Sequence, residues 1–154
     1  MLEFKALHIL SMVAMVTVFS GGEFFYTFAV LQRDVHALAW LHSLARRTGL
    51  PFLGLGFLVS GIVFGLLTAL TGGFDFFAGW LIAAYVLVVA FLVNSTLSGR
   101  PLVRLGEMAV QAEAGQRPVD EVVREMATSR ASLFFLINLA IFAAIILDMV
   151  LKPF

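Results

Sequence analysis

The sequence predicts an all-α integral membrane protein, a bundle of four transmembrane helices in a single domain covering residues 1–154. Of its 154 residues, 61% are hydrophobic and only 13% are charged, whereas a soluble domain carries about 25% charged residues. Ten Lys and Arg balance ten Asp and Glu, and cysteine is absent. The composition therefore favours no nucleic-acid partner and excludes disulfides and thiolate-bound metals.

Four apolar segments are each long enough to cross a hydrocarbon core of about 30 Å, which takes about 20 helical residues. The first contains His8 and Glu23, the second and third are uncharged, and the fourth carries Asp148 near its end. Because the first segment is too long for a cleaved signal sequence, we expect it to remain as a helix. The predicted spans are residues 6–31, 51–71, 76–97 and 131–150.

Cations are distributed unevenly over the two sides of the predicted membrane. Eight arginines lie in the first and third connections, whereas the opposite side has only Lys5 and Lys152. The positive-inside rule therefore predicts that these connections face the cytoplasm and that both termini lie outside. In a bacterial inner membrane, which is the localisation we expect, outside means the periplasm.

The cytoplasmic connections are predicted to contain amphipathic helices. Residues 34–47 can form one that stops at Gly49, before Pro51. Residues 101–114 carry apolar side chains at helical spacing, which is typical of a helix lying at the membrane surface. A further helix is expected to begin at Pro118 and to run on into the fourth span.

Small residues mark one face of the second span. Gly61 and Gly65 form a Gly-x-x-x-Gly step, and Gly56 and Ser60 form a similar step before it. Small residues at this spacing let two helix backbones approach closely in lipid. The Ser-Gly-Gly of residues 20–22 in the first span is the expected complement.

A histidine and two lysines are expected at the outer surface. His8 lies one turn inside the outer end of the first span, with Lys5 on the same face, and Met149 and Lys152 end a stripe on the fourth span. A b-type haem needs this arrangement, because an imidazole takes the iron and ammonium groups take the propionates. The residues leave open a second interpretation, in which His8 is hydrogen-bonded to a neighbouring helix and the lysines only reach the surface.

If His8 binds haem iron, a second axial ligand has to come from another helix. Met12 lies on the same helix as His8 and cannot readily reach the opposite face of the porphyrin. Met149, one turn inside Lys152, is therefore the predicted sixth ligand. Lys5 and Lys152 are predicted to bind the propionates through charge-assisted hydrogen bonds.

Glu23 is the second unusual residue, because it lies within the predicted hydrocarbon core. Asn138 on the fourth span and Asn94 on the third are expected at a similar depth on the inner side. The three side chains can form a protonatable site for proton or substrate movement. They can equally be a protonated glutamic acid hydrogen-bonded to an asparagine, which holds helices together.

His36 and His42 lie six residues apart in the first connection and so on different faces of a helix. Both are expected to be surface or interface histidines. His36 is the better candidate for function, since Tyr26 and Gln32 approach it along the predicted continuous helix.

The Lys-Ala-Leu-His-Ile of residues 5–9, the four spans, the long third connection and the closing Lys-Pro-Phe of residues 152–154 resemble one known family. This family is that of the HemJ-type protoporphyrinogen oxidases and their copper-resistance-D-like relatives, which include members of unassigned function. In HemJ-type proteins a first-span histidine is associated with haem b, and a second histidine follows the same helix. The resemblance implies the first role for His8 and the second for His36, after Tyr26.

The sequence leaves three functions open. The first is a haem b-binding redox protein, which as an enzyme would be an oxidoreductase resembling HemJ-type protoporphyrinogen oxidase. The second is an accessory or assembly subunit, in a homo-oligomer or a larger membrane complex. The third is a small transporter or channel that uses Glu23. No nucleophile–base pair, phosphate loop or nucleotide fingerprint supports another chemistry, and only the lipid bilayer is a partner in all three.

Overall fold

The computed structural model describes residues 2–151, and in this range the chain is all α-helical, without strands. Four helices are long and apolar enough to cross a membrane, which confirms the predicted all-α class with four candidate spans. Which side the termini face stays a prediction. The helices are α1 (Leu2–Gln32), α2 (Val35–Thr48), α3 (Leu50–Gly72), α4 (Gly79–Glu113), α5 (Val119–Thr128) and α6 (Ala131–Leu151).

A sharp turn separates α1 from α2. Arg33 adopts a left-handed conformation with φ 55°, and the Asp34 carboxylate caps α2 by accepting the N–H of Ala37 at 2.9 Å. The helix ends at Gly49, whose φ of 65° is a conformation that favours glycine. A helix in the first connection and its end at Gly49 are confirmed, whereas the prediction that this helix continues the first span is wrong, because the turn at Arg33 and the Asp34 cap begin a new helix.

The helix that contains the third span is longer than predicted, because α4 continues through Pro101 for 35 residues, about 52 Å at 1.5 Å per residue. The separate surface helix predicted for residues 101–114 is therefore wrong. Proline removes the hydrogen bond to the carbonyl of Leu97 and crowds that carbonyl with its ring. Beyond it, buried Leu105 and Ala109 pack against the inner helices, which keeps the backbone helical.

The fourth span has its own start, so the prediction that the helix after Pro118 runs on into it is also wrong. Ser129 is extended, with φ −66° and ψ 140°, and its Oγ accepts the N–H of Ala131 at 3.2 Å. A serine side chain that satisfies the first free N–H group favours a new helix start over continuation.

The spanning helices form a row in the order α3, α1, α6, α4. α3 packs on α1, α1 packs on α6, and α6 packs on α4. Phe91 of α4 also reaches α1, where its ring makes an edge-to-face contact with Phe19 at a centroid distance of 5.5 Å. This contact closes an apolar core between α1, α4 and α6.

Two buried apolar clusters lie one above the other along the bundle. The membrane cluster consists of Met15, Leu58, Phe91, Phe142 and Ile145. The second cluster, which we call the inner cluster after the predicted orientation, joins the end of α1, the beginning of α6 and helices α2, α4 and α5. Its centre is fully buried, as Leu38, Ala109 and Val122 are 0% exposed. Because α1 and α4 are longer than the bilayer is thick, they connect the spans to an inner helical layer.

Glycines allow α3 to pack closely on α1. A Cβ atom on Gly61 would lie 2.6 Å from Met12 Sδ, and one on Gly54 would lie 3.0 Å from the Phe19 ring. The prediction that Gly61 and Gly65 form a packing face is confirmed, whereas the predicted step at Gly56 is wrong, since Gly56 is exposed and a Cβ there would have no neighbour within 4 Å. The predicted complement is wrong, since a Cβ on Gly21 or Gly22 would have no neighbour within 4 Å. The antiparallel register instead places the α3 glycines beside larger side chains of α1.

Candidate functional site

His8 lies in the groove between α1 and α3. Its Nδ1 is 2.7 Å from the carbonyl oxygen of Gly61, and a carbonyl only accepts, so Nδ1 carries the proton. The ring rests on Gly65, where a Cβ would lie 3.0 Å from both Nδ1 and Cε1. Among residues 2–151, Nε2 has no hydrogen-bond partner. In the tautomer with the proton on Nδ1, Nε2 carries the lone pair that can bind a metal.

The other residues predicted for the haem site lie on α1 and α6. Lys5 is exposed, one turn before His8 on α1. Met149 is partly buried and packs, together with Met12, against the membrane cluster. Lys152 lies outside the described residues.

Asp148 is a buried carboxylate on the inward face of α6 that sequence reasoning noted only by its position. Its side chain is 9% exposed, and Oδ2 has no hydrogen-bond partner within the described part of the chain. It lies three residues after buried Ile145 and ten after buried Asn138. That helical spacing is the signal from which its burial could have been found.

Glu23, Asn94 and Asn138 meet in one hydrogen-bond chain that links α1, α4 and α6. Asn138 is 1% exposed, and its Nδ2 donates to Glu23 Oε1 at 2.7 Å and Oε2 at 2.9 Å. Its Oδ1 accepts from Asn94 Nδ2 at 2.8 Å, and the same Nδ2 donates to the backbone carbonyl of Phe134 at 3.0 Å.

The chain has a fixed direction because it starts at a backbone carbonyl. The carbonyl of Phe134 can only accept, so it requires the NH₂ group of Asn94 at that position, which in turn requires the Oδ1 of Asn138 to face Asn94. The NH₂ group of Asn138 is thereby aimed at Glu23. Within residues 2–151 no Lys or Arg pairs with the Glu23 carboxyl group. A carboxyl group held in this way can exchange a proton, and it also joins three helices.

His36 is exposed and lies on the inner layer, where its Nδ1 is 2.6 Å from Glu113 Oε1. The hydrogen bond and the charge of Glu113 raise the pKa of His36. The prediction that Tyr26 approaches His36 is wrong, because the Tyr26 hydroxyl lies 3.4 Å from Nδ1 of His42 instead. The turn at Arg33 reverses the chain, so α2 runs back along α1 and presents a different face to it.

His42 is buried between α2 and α4, which agrees with the interface alternative of the sequence analysis. It is 5% exposed, Nε2 has no hydrogen-bond partner in the described residues, and burial lowers its pKa. A Cβ on Gly106 of α4 would lie 2.6 Å from His42 Cγ, so only glycine leaves room for the ring. His42 follows buried Leu38 by four residues, and this spacing places both on the inward face of α2.

Within residues 2–151 there is no group of three His, Asp or Glu side chains that could hold a metal ion.

Four apolar spanning helices with buried polar side chains define a polytopic integral membrane protein. The sequence model of one family, described as "Predicted integral membrane protein (DUF2269)", matches residues 2–153. The chain belongs to this family. No curated protein and no solved structure matches the chain. The comparisons thus support a membrane protein and provide no specific link to the HemJ-type oxidases or the copper-resistance-D-like proteins.

Proposed function

We propose that this protein binds haem b at the outer end of α1, with His8 as an axial ligand, and that it has a redox role. The observation that supports this proposal is the hydrogen bond from His8 Nδ1 to the Gly61 carbonyl. Metal-binding histidines commonly donate their second ring N–H to a carbonyl or carboxylate, which fixes the ring orientation and leaves the other nitrogen for the metal.

The residues around His8 fit this role. Gly65 provides a cradle for the imidazole that a Cβ would fill, and exposed Lys5 lies on the same helix, one turn nearer the surface. In the proposal, Lys5 and Lys152 would bind the propionates, and Met149 would supply the second protein ligand. Bound haem would supply one-electron chemistry, and the chain would bind, orient and shield it.

His36 is not proposed as a ligand of the same haem. From His8 to the end of α1 at Gln32 the helix rises by about 36 Å, and His36 follows this inner end. The second role that the resemblance implies for His36 would require a separate site. His36 therefore provides a matched control for His8.

Visible absorption of the purified protein tests the proposal. We expect a Soret band in the wild type and in His36→Ala, and its loss in His8→Ala. Porphyrinogen oxidation is a narrower form of the proposal and needs its own assay. A wild-type protein that takes up no haem, even when haem is supplied, would contradict the proposal and favour an accessory subunit, for which partners should copurify.

The directed hydrogen-bond chain supports a second candidate function, a small transporter or channel that uses Glu23 as a proton-binding site. The carboxyl group of Glu23 is partly buried, and both of its oxygens accept hydrogen bonds from Asn138 Nδ2. Proton-coupled flux into liposomes that is present in the wild type and absent in Glu23→Gln would support this function. Equal flux in the two proteins would exclude a role for Glu23.

A further inference from the structure

A cleft of about 480 Å³ lies on the inner side of the bundle, between α4, the end of α5 and the beginning of α6. Three arginines line it, namely Arg100, Arg104 and Arg130. Arg100 and Arg104 are one helical turn apart on α4, so their side chains extend from the same face. Arg130 reaches the cleft from the residue that precedes α6.

The three guanidinium groups are available to a ligand. In the part of the chain that the structure describes, none of them makes an ion pair or a side-chain hydrogen bond. Glu125 is the single carboxylate among the described lining residues. The cleft therefore carries a net positive charge and offers several N–H donors, the chemistry that recognises a phosphate group.

The depth of the cleft matches the headgroup region of the inner leaflet. Arg100 follows the start of α4 at Gly79 by 21 residues, a rise of about 32 Å, close to the hydrocarbon thickness of about 30 Å. It is the first charged residue after Asp75, and Arg130 is the last before the fourth span. Both arginines thus lie where the apolar part of a helix meets the membrane surface.

The rest of the lining is suited to a lipid. Leu105, Met108 and Phe134 form apolar walls beside the arginines, where the glycerol and upper acyl carbons of a lipid can pack. We propose that this cleft binds the phosphate headgroup of an anionic phospholipid of the inner leaflet. The site contains neither His8 nor Glu23, and it does not depend on the proposed function. It shares Phe134 with the hydrogen-bond chain of Glu23, through the carbonyl that accepts from Asn94.

Lipid binding to the detergent-purified full chain tests the site. Native mass spectrometry counts bound phosphatidylglycerol in the wild type, in Arg100→Gln/Arg104→Gln, and in the control Arg46→Gln/Arg124→Gln. The control removes the same charge from exposed positions outside the cleft. We expect the affinity of the cleft variant to be lower by about tenfold or more and that of the control to stay close to wild type. Phosphatidylcholine should bind weakly to all three proteins, and inorganic phosphate should not displace phosphatidylglycerol.

Several outcomes would overturn the proposal. Equal weakening in the control would show general attraction to positive charge, and displacement by millimolar inorganic phosphate would indicate a free phosphate ligand. If the double variant does not fold, Arg130→Gln against Arg124→Gln gives the same comparison with one charge removed, and equal affinities there would also overturn it.

Discussion

At the scale of single residues, backbone carbonyls determine the orientation of both polar sites in the membrane. The carbonyl of Gly61 fixes which nitrogen of His8 carries the proton, and the carbonyl of Phe134 fixes the direction of the Asn94–Asn138 chain. A helical carbonyl has a second lone pair that can accept such a contact. Each site is therefore ordered by a main-chain group in addition to its side chains.

Glu23 should tolerate replacement by glutamine better than by leucine. Glutamine keeps one acceptor oxygen for Asn138, whereas leucine leaves a buried N–H group without its main partner, at a cost of about 1–3 kcal/mol. Thermal unfolding in detergent should therefore show Glu23→Gln close to wild type and Glu23→Leu clearly destabilised. Equal melting temperatures for the two variants would mean that the chain does not hold α1 against α6.

The stability of the inner layer should depend on pH through His42. Burial lowers the folded-state pKa of His42, so the unfolded chain takes up a proton first when the pH falls below about 6.5. Stability should then fall until the pH reaches the folded-state pKa. Three other groups act on this imidazole. The Tyr26 hydroxyl contacts Nδ1, the charge of Glu107 raises the pKa, and the charge of Arg46 lowers it.

Two variants separate this effect from that of His36, whose raised pKa has the opposite sign. The His36 contribution is fully present below a pH of about 6.5 and is lost as the pH rises through its folded-state pKa. As the pH is lowered from 7.5 to 5.5, the melting temperature should fall less in His42→Gln than in the wild type, and it should fall more in His36→Gln. If the melting temperature of His42→Gln falls as much as that of the wild type, the pH dependence comes from other groups.

At the scale of elements, close helix approach depends on single glycines. Gly106→Ala should weaken the packing of α2 on α4, since the new Cβ would overlap the His42 ring, and overpacking costs about 1–3 kcal/mol. Gly99→Ala in the same helix has open space at that point and should stabilise by about 0.5–1 kcal/mol. The melting temperatures of the two variants in detergent test this difference. Equal melting temperatures would show that Gly106 is not required for α2 to pack closely on α4.

The elements that the sequence could predict are those that depend on local pattern. The four spans follow from length and hydropathy, and the end of α2 follows from Gly49. The Glu23, Asn94 and Asn138 site could also be predicted, because depth in a membrane can be counted along each helix.

The errors have a different origin, because they concern contacts between distant segments. The packing of α4 against α2 keeps the helix intact through Pro101, and the reversal at Arg33 brings Tyr26 to His42 instead of His36. The partner of the α3 glycines likewise depends on the antiparallel register with α1. The spacing of residues within one helix carries no information on contacts between distant segments.

At the scale of the whole molecule, the distribution of arginines predicts the orientation. Reporter tags at either terminus and between Gly72 and Phe74 should be found outside, and a tag after Gly115 should be found inside. The measurement is the accessibility of each tag to an impermeant reagent in intact cells. A tag after Gly115 that is accessible from outside would reverse the topology and place the arginine cleft in the opposite leaflet.

The central claim is that the iron of haem b is bound by His8, and chemical rescue of this ligand tests it most directly. His8→Gly should purify without a Soret band, and imidazole added together with haem should restore the band by occupying the space that the side chain left. The same treatment should leave the wild-type spectrum unchanged. A His8→Gly protein that keeps the wild-type haem spectrum without imidazole would contradict the assignment.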